Sequence, residues 1–396
     1  MNIVRARVVV TMVGDPIDDG AVVVSGKTIE AVGPWRDIAL RYPGEVEDLG
    51  DSILMPGLIN AHCHLDYTRL RGVIPPQNSF AAWVGQINAA KKDLTESDIV
   101  CSIAEGYAEL RKWGTTTVCN LEAYLPKPLP PTPLRTWWFP ELIDVRDPSQ
   151  RVEEEVLRHF EGVPHLGLCP HAPYTASPDL YRRVARMARE KGLLLSTHLA
   201  ESADEEAMFA RREGPLFEFL QSIGRPMDDC GRYSSFGNAV RNGLVGPGWL
   251  LAHVNELAEA DFEWIAAHPG PWRVVHCPLS HAYFGHRPFP WRRLHELGVE
   301  ISLGTDSLAS NESLNLFAEM RQAWRTNPWI TSEHLVRSVT TVPARALGMS
   351  GKLGVIAPGA YADLIALPFA GEGSVYDAIV ANPHPIPWFM LEGNRC

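Results

Sequence analysis

Met55-Pro56-Gly57-Leu58-Ile59-Asn60-Ala61-His62-Cys63-His64-Leu65-Asp66 decides how this chain is read. An apolar run ends in two histidines separated by one residue. Side chains two apart in an extended strand point to the same side. His62 and His64 therefore face one point, and Cys63 faces away from it. Two neutral imidazoles converging on a point suit a metal ion. Taken alone, the pair suits ordinary strand-end histidines equally well. The other ligands must come from elsewhere in the chain.

Outward from this stretch, strands and helices alternate. Strand candidates are Leu54–Asn60, Thr115–Leu121, Thr136–Ile143, His165–Pro170, Leu193–His198, Trp249–His253, Arg273–Cys277 and Glu300–Gly304. Helical periodicity marks Ser97–Lys112, Pro178–Lys191, Ala203–Ser222, Glu259–His268, Leu314–Arg325 and Ser332–Leu347. Pro178–Lys191 has the clearest ends, with Ser177 to cap it and Gly192 to stop it. Eight strands alternating with helices predict an α/β fold, a (β/α)8 TIM barrel. A doubly wound open sheet is the alternative, weakened because no Gly-x-Gly-x-x-Gly turn follows the first strand. Near the N-terminus, Ile3–Met12, Gly20–Ser25 and Thr28–Val32 read as strands. Gly359–Pro368, Val375–Val380 and Trp388–Leu391 read the same way at the other end. These ends predict a small β-sandwich domain built from both termini, residues 1–54 plus 355–396, around a barrel of residues 55–354.

Active residues of such barrels sit at the C-terminal ends of the strands. The polar residues there are His62, His64, Asn120, Glu122, Glu141, Asp144, His171, His198, Glu201, His253, His276 and Asp306. Two of them extend the opening pair. His198 can add a third nitrogen and Asp306 a carboxylate oxygen, which makes a site for zinc or iron(II) with a position left for water. Such a metal generates hydroxide near neutral pH. Glu201, three residues after His198, is placed to shuttle protons. His253 is placed to hydrogen-bond the metal water and, with Asp306, to take its proton.

Composition narrows the remaining choices. The 396 residues are 45% hydrophobic and 21% charged, as in ordinary globular proteins, and the formal charge is −11. The acidic balance argues against nucleic acid and anionic membrane as partners. No apolar run approaches a membrane span. The seven cysteines form no Cys-x-x-Cys pair, and the N-terminal run carries charge, so a cytoplasmic location is expected. The partner expected is a small heterocyclic molecule, and a homodimer is an open possibility for the assembly.

Five ordered motifs carry a resemblance that spans the chain. They are the stretch from Pro56 to Asp66, then Thr-His-Leu-Ala-Glu ending at Glu201 and Leu-Leu-Ala-His ending at His253, followed by His-Cys-Pro-Leu-Ser from His276 and Leu-Gly-Thr-Asp ending at Asp306. Together they resemble the amidohydrolase superfamily, in the branch of cytosine, guanine and adenosine-derivative deaminases and triazine hydrolases. The resemblance implies one divalent metal on His62, His64, His198 and Asp306, zinc first and iron as the alternative. It also implies Glu201 and His253 as the acid–base pair, with Asp306 assisting. The fourth strand end, His165 to Tyr174, has no lysine to bridge two metals, which favours one metal and deamination.

Substrate contacts follow from the same resemblance. Phe80-Ala81-Ala82-Trp83 is similar to a loop lying over the substrate, where Trp83 would stack on a heterocycle. A surface helix packing Trp83 into the rim is the competing reading. Pro170 to Thr175 is similar to a substrate-contacting segment, with His171 as the contact. The segment from Gly304 to Asn315 is similar to aminodeoxyfutalosine deaminases and, less closely, to methylthioadenosine and S-adenosylhomocysteine deaminases. His281 stands where relatives often have Asn, near the substrate, and Arg146 could meet an acidic group. The expectation is hydrolytic deamination of a purine-type ring, in a nucleoside. The alternatives are a free base or pterin, a triazine chlorohydrolase, or a non-catalytic binding protein of the same fold.

Overall fold

The computed structural model describes residues 2–395 apart from 78, 125, 127, 128 and 148. The outermost residues of the expected terminal domain, 1 and 396, lie outside the described residues.

The middle of the chain forms a curled parallel sheet. Its order is Glu300–Leu303, Arg273–His276, Leu250–His253, Leu194–Leu199, Gly167–Pro170, Arg135–Leu142, Thr115–Glu122, Leu58–His64 and Asp306–Ser307. Every neighbouring pair is parallel. The first and last members of this order are separated in sequence by only Gly304 and Thr305. Gly304 N donates to His276 O and Thr305 N donates to His62 O, each at 3.0 Å. Residue 304 has to be glycine, because a Cβ there would lie 2.7 Å from His62 O. The strand that ends in the two histidines is fully buried from Leu58 to His64, as expected for parallel strands covered on both faces.

Helices cover the sheet where the sequence supplies their ends. In Glu96–Lys112, Thr95 and Asp98 form a capping box. In Pro178–Lys191, Ser177 accepts from Leu180 N and Gly192 takes the left-handed conformation at φ 67°. Two expected long helices are each two. Ala203–Ser222 breaks at Arg212 to Gly214, and Pro215 opens the second piece. Ser332–Leu347 divides into Ser332–Ser338 and Thr341–Ala346.

Both chain ends enter one mixed sheet. Its order is Asn394–Arg395, Trp388–Leu391, Leu364–Pro368, Ser52–Pro56, Asn2–Val9, Ile17–Ser25 and Thr28–Pro34, with Glu45–Asp48 pairing Asn2–Val9. The expectation of a joint β unit from both termini corresponds to this sheet. The terminal strands are continuous in one hydrogen-bonded sheet. The expected strand Val375–Val380 is a helix, Val375–Ala381, because Ser374 accepts from Asp377 N and caps it. Ser52–Pro56 leads through Gly57 alone into Leu58–His64, so the terminal sheet and the histidine-bearing strand are joined without a loop. Arg135 of the curled sheet donates to Asp363 beside the terminal strands, 3.1 Å away, with both side chains buried.

Candidate metal centre and active site

Six residues from four strand ends meet in the mouth of the curled sheet. His62 and His64 come from the first strand, His198 and Glu201 from the end of Leu194–Leu199, His253 from Leu250–His253, and Asp306 from the closing segment. All six are buried. His64 Nε2 lies 3.3 Å from His198 Nε2. Asp306 Oδ1 lies 3.6 Å from His64 Nε2 and 3.7 Å from His62 Nε2. The ligand atoms of His62, His64 and His198 fall within 4.8 Å of one another, and so do those of His62, His253 and Asp306. The distances suit one ion.

The chemistry of the donors also fits a cation. Neither nitrogen of His62 has a hydrogen-bond partner, nor does His253 Nε2, although all are buried. A buried polar atom without a partner calls for an unseen one. Burial pushes His64 and His253 well below the usual histidine range, and burial with the nearby His62 brings His198 to about 4. Neutral imidazole is the form that binds metal. Burial alone would raise Asp306, but the facing His62, His253 and His64 outweigh it and hold the carboxylate well below its usual range. The site thus offers the neutral nitrogens of His64 and His198 and an anionic oxygen, with the unpartnered nitrogens of His62 beside them.

Outer groups fix these side chains. Ser280 Oγ and Ser310 Oγ donate to Asp306 Oδ2 at 2.7 and 3.2 Å. Asn60 Nδ2 donates to Thr305 Oγ1 at 2.8 Å, and Asn60 Oδ1 accepts from Thr305 N and His62 N, tying the closing segment to the first strand. His198 Nδ1 contacts His171 O at 2.9 Å, which makes the nitrogen a donor and leaves Nε2 free to bind. The backbone is held in sparsely populated conformations here: φ is 58° at Asp306, 71° at His253 and 51° at Ala200, beside Glu201. Such strain concentrates at functional sites.

Glu201 stands beside the cluster and faces His253, 3.7 Å between Oε1 and Nε2. Burial, then the charge of Asp306, raises its carboxyl well above the usual range. A group so placed keeps a proton to give. Its turn is clamped from behind. Glu205 accepts from Glu201 N at 2.8 Å and from Ala200 N at 3.1 Å, and Asn255 Nδ2 donates to Glu201 O at 2.9 Å.

A cavity of about 270 Å³ opens onto these residues. Trp83 and His171 line it, as do Lys91, Glu141 and Arg146. Trp83 sits on the helix Phe80–Lys91, donates from Nε1 to Ala309 O at 3.4 Å, and stacks on Phe80. The rim helix and the cavity contact are thus the same element. His281 is not among the lining residues. Its Nδ1 lies 3.1 Å from Asn255 Oδ1, one residue removed from Glu201. The supporting roles of Asn60, Glu205 and Ser310 have no signature in the sequence. Ser280 was visible only as the end of its motif.

The sequence profile of the amidohydrolase family matches residues 53–383. The chain belongs to the amidohydrolase family. Among curated proteins of similar sequence is the 5-methylthioadenosine/S-adenosylhomocysteine deaminase of Syntrophobacter fumaroxidans, 30% identical over 90% of this chain and 81% of that one. The aminodeoxyfutalosine deaminase of Deinococcus radiodurans is 27% identical over 88% and 86%. Among solved structures, Helicobacter pylori aminofutalosine deaminase with methylthio-coformycin superposes with a TM-score of 0.86 at 22% identity, covering 100% of both chains. At that identity the superposition speaks for a shared fold alone. A zinc-bound adenosine deaminase from Xanthomonas campestris has a TM-score of 0.82 at 24% identity, covering 100% of this chain and 92% of that one.

Proposed function

We propose that this amidohydrolase is a metal-dependent deaminase that removes the exocyclic amine of a purine-type ring, in an adenosine-type nucleoside, and releases ammonia. One observation carries the reading: Glu201 faces His253 at the edge of the histidine–carboxylate cluster, inside a cavity walled by Trp83 and His171. The similarity to nucleoside deaminases supports the substrate class. We read the curled sheet as a (β/α)8 barrel of residues 55–354, with the terminal sheet as a small domain of residues 1–54 plus 355–396. His62, His64, His198 and Asp306 would hold one divalent ion, zinc in this reading. When bound, that ion supplies a water acidic enough to act as a nucleophile near neutral pH.

The residues of the chain perform the proton transfers. His253 and Asp306 flank the ion's position and receive the proton as water adds to the amine-bearing carbon. Glu201 gives its proton to the adjacent ring nitrogen, so that carbon can become tetrahedral without building charge on the ring. A proton passed to the amine lets it leave as ammonia, and the ring keeps an oxygen in its place. Trp83 covers the heterocycle and His171 meets its edge.

Six cysteines among the described residues are unpaired, which supports a reducing, cytoplasmic setting. No helix among the described residues is long and apolar enough to cross a membrane.

The test is ammonia release from adenosine, methylthioadenosine, S-adenosylhomocysteine and aminodeoxyfutalosine, beside free purine bases, pterins and a chlorinated triazine. Ammonia from at least one nucleoside is the expected result. Release of chloride alone, or no product from any nucleoside in zinc-loaded protein, overturns the reading.

A further inference from the structure

Two buried polar atoms without partners face each other beside the metal centre. His64 Nδ1 has no hydrogen bond, and neither has Glu141 Oε1. They lie 3.8 Å apart, with 7% and 4% of the side chains exposed. His64 turns its other nitrogen away, toward His198 Nε2 and Asp306. An imidazole that gives Nε2 to a metal carries its proton on Nδ1, and that proton needs an acceptor.

Glu141 has two other nitrogens near it. His198 Nδ1 and His171 Nε2 are each 3.9 Å from Oε1. His198 Nδ1 is already bonded to His171 O at 2.9 Å. His171 has Thr175 Oγ1 on Nδ1 at 2.6 Å, and its ring borders the cavity, where a ligand can serve Nε2. His64 is left as the neighbour whose buried N–H has nowhere else to go.

We propose that Glu141 is a positioning residue for the metal centre: its carboxylate accepts the Nδ1–H of His64, fixes the tautomer of that ring and aims Nε2 at the ion. The assignment rests on the metal site of the proposed function. It excludes two other uses of the same side chain. One is direct ligation with His171 and His198, whose ligand atoms also fall within 4.8 Å of it. That use would take His198 Nδ1 from its bond to His171 O. The other is a purely substrate-facing carboxylate.

The experiment measures zinc, not turnover. Metal-free wild type, Glu141→Gln and Glu141→Leu are titrated with zinc against a chromophoric chelator, and metal per chain is counted at saturation. Outer carboxylates of ligating histidines typically change metal affinity by about ten- to a hundredfold. Zinc Kd is expected to rise by that factor in both variants, with one zinc per chain throughout. Unchanged Kd with a raised KM for the nucleoside would make Glu141 a substrate contact and overturn the proposal. Two zincs in wild type and one in the variants would make it a ligand and also overturn it. If the variants fail to fold, the ring proton of His64 in ¹⁵N-histidine-labelled, zinc-loaded wild type decides. A strongly downfield Nδ1–H, protected from exchange, is expected, and a rapidly exchanging one refutes the pairing. Failure of wild type to bind zinc at all would instead overturn the proposed function.

Discussion

Asp306 turns one oxygen to Ser280 and Ser310 and the other to the imidazoles. Asp306→Asn removes an anionic ligand and a proton acceptor together, so kcat should fall at least about a hundredfold with zinc content reduced. Near-normal turnover in that variant contradicts the assigned site. Removal of the metal with a chelator should abolish activity, and zinc should restore it. Behind Glu201, burial raises Glu205 from 4.5 to about 7 despite the hydrogen bonds from Ser235, Glu201 and Ala200. Below its unfolded pKa the carboxyl is protonated in both states and contributes no pH dependence. As pH rises toward 7, the unfolded chain ionises first, so this group makes stability fall across that window and level off above it. In urea unfolding of metal-free protein, Glu205→Gln should lessen the loss between pH 4.5 and 7.5 by about 1–3 kcal/mol. An unchanged slope refutes the assignment. The metal-facing residues were legible because strand periodicity puts His62 and His64 on one side, and because apolar runs end in His198, His253 and Asp306. The partners of those residues were not. Glu205 clamps a turn four residues back, and Glu141 meets His64 across one intervening strand, Thr115–Glu122, which only the tertiary register reveals.

Elements were legible where their ends carry chemistry. Ser177, Pro178 and Gly192 bounded their helix correctly. Val375-Tyr376-Asp377-Ala378-Ile379-Val380 looked like a strand by its β-branched residues, yet the Ser374 cap and burial of Ile379 and Val380 on one face made it a helix. Tertiary packing outweighs intrinsic propensity of that size. The helix Phe80–Lys91 is a further case. Ser79 accepts from Ala82 N, and Asp204 accepts from Ser79 Oγ at 2.9 Å and Ala81 N at 3.0 Å. Ser79→Ala removes this cap, a loss of about 1 kcal/mol. The helix carries Trp83, so KM for the nucleoside should rise several-fold while zinc affinity stays at the wild-type value. Equal loss in both would mean that the helix braces the metal centre as well.

For the molecule as a whole, the buried Arg135–Asp363 pair links the curled sheet to the terminal one, and Glu392 adds a second carboxylate 3.0 Å from Arg135. Removing one partner of a buried pair leaves the other charge uncompensated, a loss of about 3–5 kcal/mol. Asp363→Ala should therefore lower Tm by several degrees, while Arg5→Ala, whose carboxylate partners are exposed, should change it little. The joint terminal unit was legible in the Val- and Ile-rich ends, but its single-sheet form depends on strand order, which composition does not encode. That order sets a timetable for biosynthesis. Ser52–Pro56, the strand that runs through Gly57 into the histidine pair, lies between Asn2–Val9 and Leu364–Pro368. On the ribosome its second neighbour arrives some three hundred residues after it, roughly 15–60 s later at ordinary elongation rates. Through that interval the strand presents one bare edge of unpaired amides and carbonyls, a template for wrong pairing until Leu364–Pro368 is made.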